Sequence, residues 1–110
     1  MALLKTYTGV GLMSGSSLDG LDMALCRFVL SPETGAVEEW QILQAATESY
    51  TDAWMERLAG LAGASALDLA RTHVALGHLW ANMLQGFLNA AEVVPDYIAS
   101  HGHTVFHYPE

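Results

Sequence analysis

The chain has 110 residues, a length that fits one small domain. Hydrophobic residues make up 52% of it and charged residues only 15%, so there is material for a core and little for a fully solvated surface. The formal charge is −8, from 12 acidic and 4 basic residues, and Lys5, Arg27, Arg57 and Arg71 stand singly, which argues against the clustered cations that DNA or RNA binding requires.

Tyr7 to Ser14 reads as a strand, apolar and thinned by Gly9 and Gly11. Gly15 to Asp19 supplies turn residues, and Leu21 to Val29 reads as a second strand whose two sets of alternating residues are both largely apolar. The pair predicts a hairpin in a sheet covered on both sides. Ser31-Pro32-Glu33-Thr34-Gly35 is a turn, and Val37 to Ala46 is a third strand.

Thr51 to Leu61 predicts a short amphipathic helix broken by Gly60 and Gly63. Ser65-Ala66-Leu67-Asp68 fits a helix start in which Ser and Asp satisfy free N–H groups. Leu69, Leu76, Trp80, Met83 and Phe87 then recur at helical spacing and mark a buried face, on which His73 reads as a core histidine. Val94-Pro95 is expected to end that helix. Tyr97 to His101 predicts another strand, and Thr104 to His107 the start of a further one after a turn at Gly102. The resulting order, β-β-β-α-α-β, differs from Rossmann and P-loop openings, in which the phosphate loop leads directly into a helix.

Cys26 lies alone in an apolar run, which excludes a disulfide framework within the chain and reads as an inert core thiol in a reducing compartment. The N-terminus lacks the pattern of a signal peptide, and no run reaches the ~18 apolar residues of a membrane span. The expected location is the cytoplasm, with no membrane partner. His107-Tyr108-Pro109-Glu110 reads as the middle of a sequence, so the chain is expected to be a fragment.

The segment with chemistry is Gly15-Ser16-Ser17-Leu18-Asp19-Gly20. Gly15 and Gly20 can adopt positive φ and let N–H groups face a ligand. Ser16 and Ser17 add hydroxyl donors for phosphate oxygens. Asp19 and Asp22 can hold Mg²⁺ or its water shell, which lets an acidic protein manage a nucleotide's charge. Residue chemistry alone does not separate this loop from an ordinary hairpin turn.

Gly11-Leu12-Met13-Ser14-Gly15-Ser16-Ser17-Leu18-Asp19-Gly20-Leu21-Asp22 closely resembles the N-terminal signature of anhydro-N-acetylmuramic acid kinases, G-[LV]-M-S-G-T-S-L-D-G-[hydrophobic]-D. A second block, Ile98 to Pro109, resembles the same family's I-G-S-H-G-Q-T-[hydrophobic]-x-H-x-P, and the intervening helices agree. The resemblance implies an α/β, actin-like (ribonuclease H-like) kinase fold, with residues 1–110 forming the N-terminal part of its first lobe and ATP bound between two lobes. Carried over, Gly15, Ser16, Ser17, Leu18, Asp19, Gly20, Leu21 and Asp22 become the ATP-binding segment, with Asp19 contacting Mg²⁺ through ATP. Ser14, His101, His103 and Thr104 would lie near the sugar. The implied reaction opens the 1,6-anhydro ring of anhydro-N-acetylmuramic acid with water and moves the γ-phosphate to O6. The product, N-acetylmuramic acid 6-phosphate, belongs to cell-wall (peptidoglycan) recycling and amino-sugar metabolism. The catalytic aspartate is expected beyond Glu110, so the isolated segment is expected to be inactive, and the family resemblance implies a homodimer.

The sequence departs from the family pattern in places. Ser16 stands where Thr is usual and keeps the hydroxyl, whereas His103 replaces Gln and exchanges an amide for an imidazole. Many related sugar kinases carry Asp where Met13 stands, so Asp19 or Asp22 would supply the metal contact. Two other readings are weighed: a non-catalytic actin-like nucleotide-binding module, and a metal site built from His101, His103 and His107. Strand alternation would place the first two imidazoles of that metal site on one face.

Overall fold

The computed structural model describes residues 3–15 and 17–106. Strand β1 (Lys5–Ser14) turns back into β2 (Gly20–Leu30), and β2 turns into β3 (Val37–Ser49). Helix α1 (Asp52–Ala59), a 3-10 turn (Leu61–Gly63) and helix α2 (Ala66–Ala91) follow, and β4 (Tyr97–His103) closes the described order. The four strands form one mixed sheet in the order β3-β2-β1-β4. β2 is antiparallel to both β1 and β3, whereas β4 runs parallel to β1. The expected order is therefore the observed one, and the crossover through α1 and α2 is what makes a parallel neighbour for β1 possible.

Alternation along the strands decides where the core lies. Val10, Leu12 and Ser14 of β1 and Leu21, Met23 and Leu25 of β2 are buried on one face. They pack with Leu58 of α1 and with Leu76, Met83, Leu84 and Phe87 of α2. Full burial of a side chain such as Leu21 or Leu25 is worth about 1.5–3 kcal/mol. The opposite face is not covered by helices among the described residues: Gly11, Met13 and Asp22 are exposed there. The expected cover on both sides is thus present on one.

Both helix starts follow from their side-chain caps. Thr51 accepts from the Trp54 N–H and Ser65 from the Asp68 N–H. Arg57 of α1 stacks over the Trp54 ring at 4.9 Å and donates from Nε to the buried Thr72 hydroxyl of α2 at 2.8 Å, tying the helices together.

Several expectations are corrected. β3 extends to Ser49, because its pairing with β2 continues as far as Gly20. α2 ends at Ala91 rather than at Val94-Pro95, since Glu92 takes a left-handed conformation with φ 56°. Leu69 is exposed and His73 is solvent-facing rather than core, while Thr72 and Leu84 join the buried stripe. No strand forms over residues 104–106, and His107 lies outside the described residues.

Asp96 anchors the incoming β4. Its carboxylate accepts from the Thr8 N–H at 2.7 Å, and its own N–H donates to the Thr8 carbonyl at 2.7 Å. That clamp sets Gly9 opposite Tyr97 and hence Leu12 opposite Ser100.

Candidate active site

Parallel pairing places the C-terminal ends of β1 and β4 side by side, and both candidate segments leave the sheet at that end. The hairpin after β1 closes with the Leu18 N–H donating to the Gly15 carbonyl at 3.2 Å. Ser17 and Asp19 are exposed, Gly15 and Leu18 are half-buried, and Gly20 is buried. Ser16 lies outside the described residues.

The expected role of the hairpin glycines changes. Positive φ falls on Leu18, at 61°, and not on Gly15 or Gly20. For a residue with a Cβ this conformation costs about 1–2 kcal/mol, offset here by the Leu18 side chain packing against the core. Gly20 is required for space instead, because a Cβ there would overlap the Glu48 backbone of β3. The Tyr50 N–H donates to the Asp19 carbonyl at 3.2 Å, so the hairpin is also braced from the chain leaving β3.

Leu21 and Asp22 point to opposite faces. Leu21 is fully buried, backbone included, and is paired with Glu48 of β3, so it is structural and offers no surface to a ligand, contrary to the expected place of Leu21 in the ATP-binding segment. Asp22 is exposed, and its Oδ1 accepts from the Thr47 hydroxyl at 2.5 Å. The side chains of Asp19, Asp22 and Ser17 thus remain on the solvent side as hard oxygen donors, the type Mg²⁺ and its water shell take. This donor set fits a metal-bound polyphosphate.

On the core side, Ser14 is fully buried. Its Oγ lies 2.7 Å from the Tyr50 hydroxyl and 2.9 Å from His103 Nδ1. The Tyr50 hydroxyl also accepts from Trp80 Nε1–H at 2.9 Å. A buried hydroxyl without partners would cost about 1–3 kcal/mol, and this chain of bonds removes that penalty. Burial lowers the His103 pKa from 6.5, outweighing a backbone hydrogen bond at Ser14 that raises it.

His101 and His103 do not share a face. Between Leu12 and Ser14 the pairing register shifts, so that β4 carries an extra residue. Gly102 takes φ 79° there, and its N–H donates to the Ser100 hydroxyl at 3.0 Å. Only glycine adopts that conformation freely. In consequence His101 lines an open trough of about 860 Å³ along the uncovered face, with Gly11, Met13, Asp22, Ala24 and Thr47. His103 instead lines a cavity of about 270 Å³ between α2 and the end of β4, with Trp80 and His73. The His-x-His metal reading loses its geometric basis, and no group of three potential ligands is found among the described residues. Thr104 is half-buried just beyond β4.

The structure therefore joins Ser14 to His103 and places Asp22 and His101 on one trough. Tyr50, Trp80 and Thr47 were not legible as site residues. Trp80 fits the core stripe of α2, and Tyr50 lies between a strand and a helix cap, where no periodicity singles it out. Among the described residues no helix is long and apolar enough to cross a membrane.

The sequence model described as anhydro-N-acetylmuramic acid kinase matches residues 7–110. Relatives bearing that name include a protein of Pseudoalteromonas translucida, 34% identical over 115 residues that cover 99% of this chain and 28% of the relative. Another, from Picosynechococcus, is 39% identical over 106 residues, covering 91% of this chain and 26% of the relative. A third, from Rhodospirillum rubrum, is 33% identical over 108 residues, covering 92% and 26% respectively. The chain thus spans about a quarter of the length of the curated relatives it matches. With its two signature segments brought together at one end of a mixed α/β sheet, the chain belongs to the anhydro-N-acetylmuramic acid kinase family.

Proposed function

We propose that residues 1–110 form the N-terminal part of the first lobe of an actin-like kinase that phosphorylates anhydro-N-acetylmuramic acid. The observation that carries this reading is the parallel pairing of β1 with β4. It sets Ser14 beside His103 and so brings the phosphate hairpin and the His101–Thr104 loop to the same end of the sheet. A kinase must hold its phosphate donor and its acceptor sugar within bonding reach, and positioning supplies much of its rate.

In this reading, the hairpin from Gly15 to Asp19 holds the ATP phosphates through backbone N–H groups and the hydroxyls of Ser16 and Ser17, while Gly20 and Leu21 are buried behind it and fix its position. Asp19 and Asp22 turn their carboxylates toward the cation side. Bound Mg²⁺ would neutralise charge on the phosphate oxygens. His103 and Thr104 are proposed to reach the sugar from the core side at the end of β4 and His101 from the uncovered face, with Ser14 buried behind His103 as its support. Overall, water adds at the anomeric carbon as its bond to O6 breaks, and O6 takes the γ-phosphoryl group as the bond to the β-phosphate oxygen breaks. The products are N-acetylmuramic acid 6-phosphate, ADP and a proton. The group that activates the water is proposed to lie outside residues 1–110, along with the second lobe.

The test is an assay of the full-length protein carrying these residues, with MgATP and anhydro-N-acetylmuramic acid. ADP release that depends on the sugar, with a 6-phosphate product in the phosphorus spectrum, is the expected result. ATP turnover indifferent to the sugar would overturn the reading. Residues 1–110 alone are expected to give no sugar phosphate.

A further inference from the structure

Counting protons along the buried polar chain leads to residues outside both signature segments. Trp80 Nε1–H is only a donor, and it donates to the Tyr50 hydroxyl at 2.9 Å. The Tyr50 hydroxyl has one proton of its own, and its other partner is Ser14 Oγ at 2.7 Å. Tyr50 is 5% exposed and Ser14 fully buried, so bulk water offers that proton little alternative. Tyr50 therefore donates to Ser14, and the Ser14 proton goes to its remaining partner, His103 Nδ1, at 2.9 Å. The reverse order would leave the tyrosine proton without an acceptor in a buried site, which is costly. Among the described residues no buried side-chain nitrogen or oxygen lacks a partner.

We propose that Tyr50 and Trp80 are positioning residues for the sugar-facing loop: through Ser14 they fix His103 as the neutral imidazole protonated on Nε2, set to donate to an acceptor oxygen of the sugar. The inference rests on the placement of that loop in the proposed function. Four elements of the fold converge to build it. Ser14 ends β1, Tyr50 follows β3, Trp80 lies in α2 and His103 ends β4. His103 borders the cavity beside α2, so one side of the ring is held while another stays accessible. Burial disfavours the charged ring, in the direction a neutral imidazole requires, while the backbone of Ser14, which raises the pKa, is the competing acceptor for a ring N–H that the tautomer measurement distinguishes. A ring nitrogen held without a proton by its neighbour leaves the other nitrogen as the donor.

The experiment uses the full-length protein with ¹⁵N-labelled histidine at about pH 8.5, about two units above the ordinary histidine pKa of about 6.5. The His103 signals are assigned by their loss in His103→Gln. Long-range proton–nitrogen spectra are expected to show Nδ1 bare and Nε2 protonated; a ring protonated on Nδ1 overturns the proposal. Tyr50→Phe and Trp80→Phe are then compared with the wild type. Both are expected to lower kcat/KM for the sugar about tenfold or more, as misplacement of a reacting group does, and to mix the His103 tautomers. The KM for ATP should stay within about twofold, because neither side chain belongs to the phosphate segment. Reduced stability with unchanged tautomer and unchanged sugar kinetics would mean a purely structural role and would overturn the inference. If Tyr50→Phe does not fold, Trp80→Phe and the wild-type tautomer decide the question. A wild-type protein without sugar-dependent turnover overturns the proposed function and the sugar contact with it. The tautomer measurement is independent of turnover and so separates the two failures.

Discussion

Ser14 Oγ and His103 Nδ1 lie 2.9 Å apart, although 89 positions separate them in the chain. Ser14 is the last residue of β1 before the hairpin, and His103 is the last residue of β4. The bond therefore ties the two signature segments to each other at the point where both leave the sheet. Its formation depends on the Asp96 clamp at the start of β4 and on the extra residue near Gly102, which turns His103 toward the core side.

Asp19 is the first residue for mutation in the full-length protein. Asp19→Asn keeps the shape and removes the charge. It is expected to lower kcat/KM for MgATP about 100-fold or more, the scale of losing a group that stabilises transferred charge. Because the side chain is exposed, the unfolding free energy should stay within about 0.5 kcal/mol of wild type. Steady-state kinetics and denaturant melts measure both, and unchanged turnover would remove Asp19 from the site.

Gly20 tests the packing of the hairpin against β3. A methyl group at this position meets the carbonyl of Glu48 and the backbone of Ser49, which cannot yield like a flexible side chain. Gly20→Ala should destabilise the fold by about 1–3 kcal/mol. Gly63→Ala meets nothing within 4 Å and serves as the comparison. Equal midpoints for the two variants would contradict the contact.

The pH dependence of stability should carry a signature of His103. Its pKa is lowered in the folded state, so the fold prefers the neutral ring. That contribution is fully present above the unfolded value of 6.5 and is lost as the pH falls through the lower folded value. His103→Gln keeps an acceptor for Ser14 and does not titrate. Between about pH 7.5 and about pH 5.5, the wild-type unfolding midpoint should therefore fall further than that of His103→Gln. Parallel midpoint curves would show that His103 is not held neutral by the fold.

Arg57 and Thr72 test the joint between the helices. Thr72 is 2% exposed and accepts from Arg57 Nε at 2.8 Å. Arg57→Ala leaves the threonine hydroxyl without that donor and uncovers the Trp54 ring. A loss of about 1–3 kcal/mol is expected from chemical denaturation. Thr72→Val in the Arg57→Ala background should cost less than in the wild type, since the shared bond is already gone.

Much of the architecture could be read before the structure. Gly and Pro mark the turns between β1, β2 and β3, and Ser65 marks the start of α2, because these signals act through neighbouring backbone groups. The signature from Gly11 to Asp22 and the block around His101 to Thr104 likewise named the family from local order alone. Strand alternation failed at His101 and His103, where an inserted residue with φ 79° at Gly102 sends the rings to opposite faces. The same limit applied to Gly20, whose need for glycine arises from the neighbouring strand and not from its own backbone angles.

What the sequence by itself determined is the order of elements, the hairpin with its exposed acidic and hydroxyl groups, and membership of the kinase family. Only the tertiary structure decided which groups meet: Ser14 with Tyr50 and His103, Tyr50 with Trp80, and Asp22 with Thr47. The reason is physical. Turns, caps and periodicity are set by residues within a few positions of one another, whereas a buried hydrogen-bond chain depends on sheet register and on the parallel return of β4. Those follow from the packing of α1 and α2 across one face of the sheet, which no short segment encodes alone.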